Sequence, residues 1–204
     1  MSEDSAPSGG SETADDARPT RVAVTGTPGT GKSTATALLE GEYEVVHLND
    51  LIKGDDALWS ERDVDRDTLV ADLDAVREYL GDWTGVLDSH LAHRFDVDRV
   101  VVLRCRPETV ESRLRERVEP DATAEENAEP DEPSRALARK ARENAESEAL
   151  DVILSEAVAD HGVENVYEID TTDRDPQAVA DEIRAAIEGE REPSAGTVDF
   201  IDYI

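Results

Sequence analysis

The chain is 204 residues long, enough for one domain with a well-filled core. Its single cysteine, Cys105, excludes a disulfide framework and a cysteine-built zinc site, and no apolar run is long enough for a membrane span or a leader core. Fifty Asp and Glu against 21 Lys and Arg give a formal net charge of −29, and the expectation is a soluble, cytoplasmic protein with no membrane partner and no sequence-specific DNA binding.

Residues 1–20, MSEDSAPSGGSETADDARPT, are small, polar, acidic and aperiodic, which predicts a disordered acidic tail. RVAVT (Arg21–Thr25) is a short β-branched apolar run and predicts a buried strand. GTPGTGKST (Gly26–Thr34) follows it, and a helix is expected from about Gly31 to Glu40. YEVVH (Tyr43–His47) predicts a second strand. His47–Val70 then reads as a polar, loop-rich insertion, and Arg66–Leu80 as an amphipathic helix. TGVLDS (Thr84–Ser89) and DRVVVLRC (Asp98–Cys105) predict the third and fourth strands. A helix over Pro107–Val118 leads into EPDATAEENAEPDEP (Glu119–Pro133), a second insertion rich in acid, Pro and Ala. One long helix is expected over Ser134–Asp160, a fifth strand over Glu164–Asp170 and a last helix over Pro176–Glu188. The tail 191–204 turns apolar again at GTVDFIDYI, a segment for docking on the core or on a partner. Short apolar strands alternating with amphipathic helices predict an α/β fold, a five-stranded parallel sheet with helices on both faces.

The chemistry concentrates in Gly26-x-x-x-x-Gly31-Lys32-Ser33, set between a strand and a helix. Glycines let backbone N–H groups turn toward phosphate oxygens, and a helix start adds its dipole. Lys32 suits the β- and γ-phosphates of ATP, the Ser33 hydroxyl a Mg²⁺ ion, and Thr34 the α-phosphate. Asp88 closes an apolar strand, where a carboxylate can hold that metal through water or position the acceptor; a helix N-cap is its plainer role. His90, two residues on, is either structural or placed to orient a water or an acceptor phosphate. Phosphoryl transfer also needs positive charge around the moving group. Arg113, Arg115 and Arg117 precede the second insertion and Arg135, Arg139, Lys140 and Arg142 follow it; one to three of them are expected at the nucleotide, Arg117 first. Pairing with Glu residues one turn away accounts for others.

Together these pieces resemble a nucleoside monophosphate kinase, and within that superfamily the adenylate kinase isoenzyme 6 family of archaeal and eukaryotic nuclear-ATPase-type enzymes. The matching stretches are TGTPGTGKST (Thr25–Thr34), LNDL (Leu48–Leu51), VLDSH (Val86–His90), VVLRCRPETVESRLRER (Val101–Arg117) and KARENAESEALDVILSEA (Lys140–Ala157). The resemblance spans most of residues 21–188 and implies a P-loop kinase domain over 21–190. It would carry an NMP-binding segment near 47–70 and a lid near 116–133. It implies reversible transfer of the γ-phosphoryl group of Mg-ATP to AMP or other monophosphates, with an ATPase side activity. A role in late small-subunit ribosomal RNA maturation follows from it too, through transient contact with ribosomal protein uS11 and the pre-30S particle. Carried over by position, Gly29, Gly31, Lys32, Ser33 and Thr34 bind ATP, Arg117 is the lid arginine, and Asp88 and His90 take the family's Asp-x-His pair. The second insertion is longer and more acidic than the resemblance to the eukaryotic members implies.

Two alternatives stay open. One is an ATP-hydrolysing assembly factor in which His90 helps place water; the other is a small-metabolite kinase of the same fold. No Asn-Lys-x-Asp motif is present for guanine. The acids also run through the amphipathic segments, and lysine is confined to Lys32, Lys53 and Lys140. That pattern resembles proteins of salt-accumulating halophilic archaea, since a Debye length of about 3 Å in molar salt screens the self-repulsion.

Overall fold

The computed structural model describes residues 21–63, 68–116 and 132–203. The expected tail at 1–20, Arg117 and nearly all of the expected lid segment lie outside the described residues.

The apolar runs pair as a parallel sheet of β1 (Arg21–Thr25), β2 (Val45–His47), β5 (Gly85–Asp88), β6 (Arg99–Arg104) and β7 (Val166–Asp170) in the order β2-β5-β1-β6-β7. Alternate residues of each strand point to opposite faces, so each face needs its own cover. On one face Val22, Val24, Val101, Leu103 and Ile169 pack with Ile183 and Ile187 of a helix α7 (Pro176–Glu188). On the other, Ala23, Leu87, Val100 and Val102 meet Val76 of α3 (Leu73–Leu80) and Leu154 and Ala157 of α6 (Val152–His161). The expected doubly covered α/β domain is therefore present. The loop after β1 opens α1 (Lys32–Thr36), which tightens into a 3₁₀ turn over Ala37–Leu39 instead of continuing as α-helix to Glu40.

Between β2 and β5 the chain is more ordered than its polar composition predicts. The stretch read as a loop-rich insertion holds α2 (Leu48–Gly54) and an antiparallel pair, β3 (Trp59–Asp63) and β4 (Thr68–Ala71). Thr68–Ala71, within the expected Arg66–Leu80 helix, is thus strand. Helix begins only after Asp72, whose carboxylate accepts from the backbone N–H of Asp74 and Ala75, both at 3.1 Å.

Ser134–Asp160, expected as one long helix, breaks in the middle. It is two helices, α5 (Glu132–Ala149) and α6, separated at Leu150–Asp151. Asp151 sits at φ 53, left-handed for a residue with a Cβ. Its carboxylate is drawn to the guanidinium of Arg104, buried at the end of β6. Arg104 also binds Glu148 of α5 at 2.7 Å and Glu168 of β7, so three carboxylates surround one cation and the chain turns to deliver the third.

The C-terminal residues dock on the core. Along β7, the N–H of Ser194 donates to Val166 O and the Glu168 N–H donates to the Ser194 hydroxyl, covering the open strand edge. The N–H groups of Thr197 and Val198 donate to the second carboxylate oxygen of Glu168, at 2.7 and 3.1 Å. Phe200 then lies 5.5 Å from the Arg104 guanidinium. Tyr203 donates to Glu111 of α4 (Pro107–Glu116). Many other acids face solvent: Asp74, Asp82 and Asp96 are each at least nine-tenths exposed. Among the described residues, no helix is long and apolar enough to cross a membrane.

Candidate active site

The C-terminal ends of β1, β5 and β2 converge where parallel α/β sheets place their ligands. The loop that leaves β1 can only be glycine-rich. Gly26 has φ 138, and a Cβ there would stand 2.3 Å from the carbonyl oxygen of Leu103. Gly29, at φ 99, runs so close over α4 that a Cβ would crowd Val110 and Leu114 at 3.2 Å each.

The loop is held in shape on every side. The Thr30 hydroxyl donates to Thr27 O at 2.9 Å, and the Thr27 hydroxyl donates to Glu148. Arg113 of α4 donates to Gly29 O at 3.2 Å, and Thr171, just after β7, donates to Thr30 O at 2.8 Å. Lys32 is buried, with its ammonium on Gly26 O at 2.7 Å and Thr27 O at 3.1 Å. Ser33 and Thr34 are exposed on the first turn of α1.

Asp88 ends β5, in register with Val24 of β1 and His47 of β2. It is 3% exposed. Its Oδ2 accepts from His47 Nδ1 at 2.8 Å and from the Thr36 hydroxyl at 3.3 Å, while its Oδ1 is buried with no hydrogen-bond partner. A carboxylate oxygen left bare in a buried site is costly unless something fills it. Asp88 therefore does not act as the helix N-cap that its position allowed. Among the described residues, no cluster of three His, Cys, Asp or Glu could hold a metal by itself. A lone carboxylate plus the Ser33 hydroxyl suits Mg²⁺, which takes one or two protein ligands and completes its shell with phosphate and water.

His90 is part-buried just beyond the strand. Burial, together with the fields of Lys32, His93 and Lys140, lowers its pKa to about 4, so the imidazole is neutral near pH 7. His93, invisible as a candidate in the sequence, is buried between the Thr25 hydroxyl and Glu156, both at 3.0 Å. Burial lowers its pKa too. Glu156 accepts from Nε2, so Nδ1 accepts from Thr25 and fixes the residue before the loop. Ser89 contacts Asn49 of α2 at 3.1 Å, which ties the segment between β2 and β5 to the site.

The basic residues divide. Arg115, Arg139 and Arg142 pair with Glu111, Glu143 and Glu146 one helical turn away, the plainer of their expected roles. Arg113 reaches the loop, and the field of Lys140 reaches His90. The structure adds residues that the sequence did not flag. A cleft of about 230 Å³ beside the loop is lined by Gly29, Gly31, Thr34, Arg113, Arg174, Pro176 and Val179. Arg174, Pro176 and Val179 come from the turn after β7 and the start of α7, where only a Pro at a helix start marked anything in advance.

Two comparisons with known proteins bear on this site. The model of a family described as "AAA domain" matches residues 22–151. Proteins named "Putative adenylate kinase" match along nearly their whole length. One from Natronomonas pharaonis is 55% identical over 185 residues, covering 90% of this chain and 99% of its own. One from Halobacterium salinarum is 54% identical with the same coverage. One from Methanocaldococcus jannaschii is 33% identical, covering 90% of this chain and 97% of its own.

Proposed function

This chain belongs to the AAA-domain family and to the family of these archaeal proteins named for adenylate kinase, and from that premise we propose that it is a nucleoside monophosphate kinase. It transfers the γ-phosphoryl group of ATP to AMP, in the cytoplasm and in molar salt. The observation that carries this reading is the pairing of a glycine loop around a buried lysine with a buried carboxylate oxygen that has no partner of its own.

The donor's triphosphate lies along the N–H groups of Gly29 and Gly31. Lys32 leaves the carbonyls of Gly26 and Thr27 for the β- and γ-phosphate oxygens. Thr34 meets the α-phosphate. Arg174, Pro176 and Val179 offer the base an apolar floor and a guanidinium plane to stack on. Ser33 and Asp88 Oδ1 would hold Mg²⁺, which when bound neutralises charge on the β- and γ-phosphates. An AMP phosphate oxygen attacks the γ-phosphorus as the bond to the β-bridging oxygen breaks, leaving two ADP. AMP oxygens are already nucleophilic, so no general base is needed. Orientation and fixed positive charge supply the acceleration. Arg113 reaches the loop, and the resemblance assigns the closing role to Arg117. The segment between β2 and β5 receives AMP, anchored to the site through Asn49 and Ser89.

Asp88-Ser89-His90 further supports a place in the isoenzyme 6 branch, and with it a transient contact with uS11 and the pre-30S particle. One observation favours hydrolysis as a second reaction. His90 is neutral beside Lys32, so it can accept a hydrogen bond from water and direct it at the γ-phosphorus.

The test is product analysis in molar KCl with Mg-ATP, with and without AMP, and Lys32→Ala as the blank. The kinase reading expects ADP to appear at twice the rate at which AMP disappears. ADP and free phosphate rising together, indifferent to AMP, would replace it with the ATPase.

A further inference from the structure

Asp88 has two oxygens with different fates, and a neighbouring strand decides which is which. The Oδ2 atom is engaged by His47 at 2.8 Å and by Thr36 at 3.3 Å, leaving Oδ1 bare and buried. His47 closes β2 in direct register with Asp88, so the parallel pairing itself brings the ring to the carboxylate. The other ring nitrogen, Nε2, lies 3.1 Å from Glu40 Oε1, just past the 3₁₀ turn that follows α1. Both ring nitrogens lie within hydrogen-bond distance of a carboxylate oxygen. The ring is clamped between the end of the α1 segment and the end of β5. Thr36 alone could not fix the carboxylate: its hydroxyl also donates to Lys32 O at 3.1 Å.

We infer that His47 is a positioning residue for phosphoryl transfer, holding the Asp88 carboxylate in the one rotation that presents Oδ1 to the nucleotide's metal. The inference rests on the reading of Asp88 as the metal-side carboxylate. Partners of this kind orient a ligating group, and their loss costs metal affinity about 10- to 100-fold in known metal sites. The ring is held at both nitrogens, by Asp88 on one side and Glu40 on the other, so the expected contribution is positional.

The measurement is calorimetric titration with a non-hydrolysable ATP analogue in molar KCl, with Mg²⁺ and again with EDTA. The ratio of the two dissociation constants is the gain in affinity that the metal brings. His47→Ala should cut that gain about tenfold and leave the metal-free constant unchanged. His47→Asn, whose amide N–H falls near the Nδ1 position, should restore most of it. Thermal unfolding of each variant checks that it is folded.

An unchanged gain in His47→Ala overturns the inference, as does an equal loss with and without metal. A gain that grows in both variants also overturns it, because the ring would then be acting through charge. Asp88→Asn separates the two levels. If it keeps the full gain, the metal reading of Asp88 fails and takes this inference with it. If it loses the gain while His47→Ala keeps it, only the role of His47 is wrong.

Discussion

Single residues in this molecule carry more than their local share because several are charged and out of water. Arg104 is the extreme case, a buried guanidinium bound by Glu148, Glu168 and Asp151. Burial opposes its charge, yet the three acids more than offset that and raise its pKa above the ordinary arginine value. Arg104→Leu would leave two fully buried carboxylates uncompensated. It should lower the unfolding free energy by about 3–5 kcal/mol, measured by guanidinium titration. His90 makes the opposite prediction in pH. Its folded pKa of about 4 lies below the ordinary 6.5. The unfolded chain therefore binds more protons between those values, and stability falls as pH drops from about 6.5 toward 4. An NMR titration of the His90 ring should show its midpoint near 4, and a midpoint at 6.5 would deny the burial that makes it neutral.

At the scale of elements, the parallel sheet was legible because strands buried on both faces read as unbroken apolar runs, and the phosphate loop because glycine spacing reports backbone conformation. Two elements were not. Thr68–Ala71 is too short to separate strand from helix by periodicity, and Asp72 as a capping residue was the overlooked sign. The break at Asp151 follows from the needs of Arg104, which sits 47 residues earlier in the chain, and no local pattern records it. At the site, Asp88 was legible from its strand end. Its dependence on His47 was not, because that contact comes from sheet register across 41 residues. The C-terminal segment shows its docking partner only in three dimensions. Removing residues 197–203 strips Glu168 Oε2 of its donors from Thr197 and Val198. This deletion should cost about 1–3 kcal/mol, seen as a lower urea midpoint.

For the whole molecule the decisive number is the net charge of −29. Spread over exposed carboxylates, it pushes the folded surface apart in dilute buffer and is screened in molar salt. The unfolding temperature should therefore climb between 0.1 and 2 M KCl, and a flat profile would mean that surface pairs such as Arg77–Asp74 and Arg21–Asp82 already offset the repulsion. The same coat of carboxylates, Asp74, Asp82 and Asp96 among them, meets every nucleotide that diffuses in, and each arrives with negative charge of its own. Most charged-substrate enzymes are steered toward their ligands and slow down as ions are added. Here salt removes a barrier, so the bimolecular rate constant for nucleotide capture rises with KCl, and the encounter is fastest in brine.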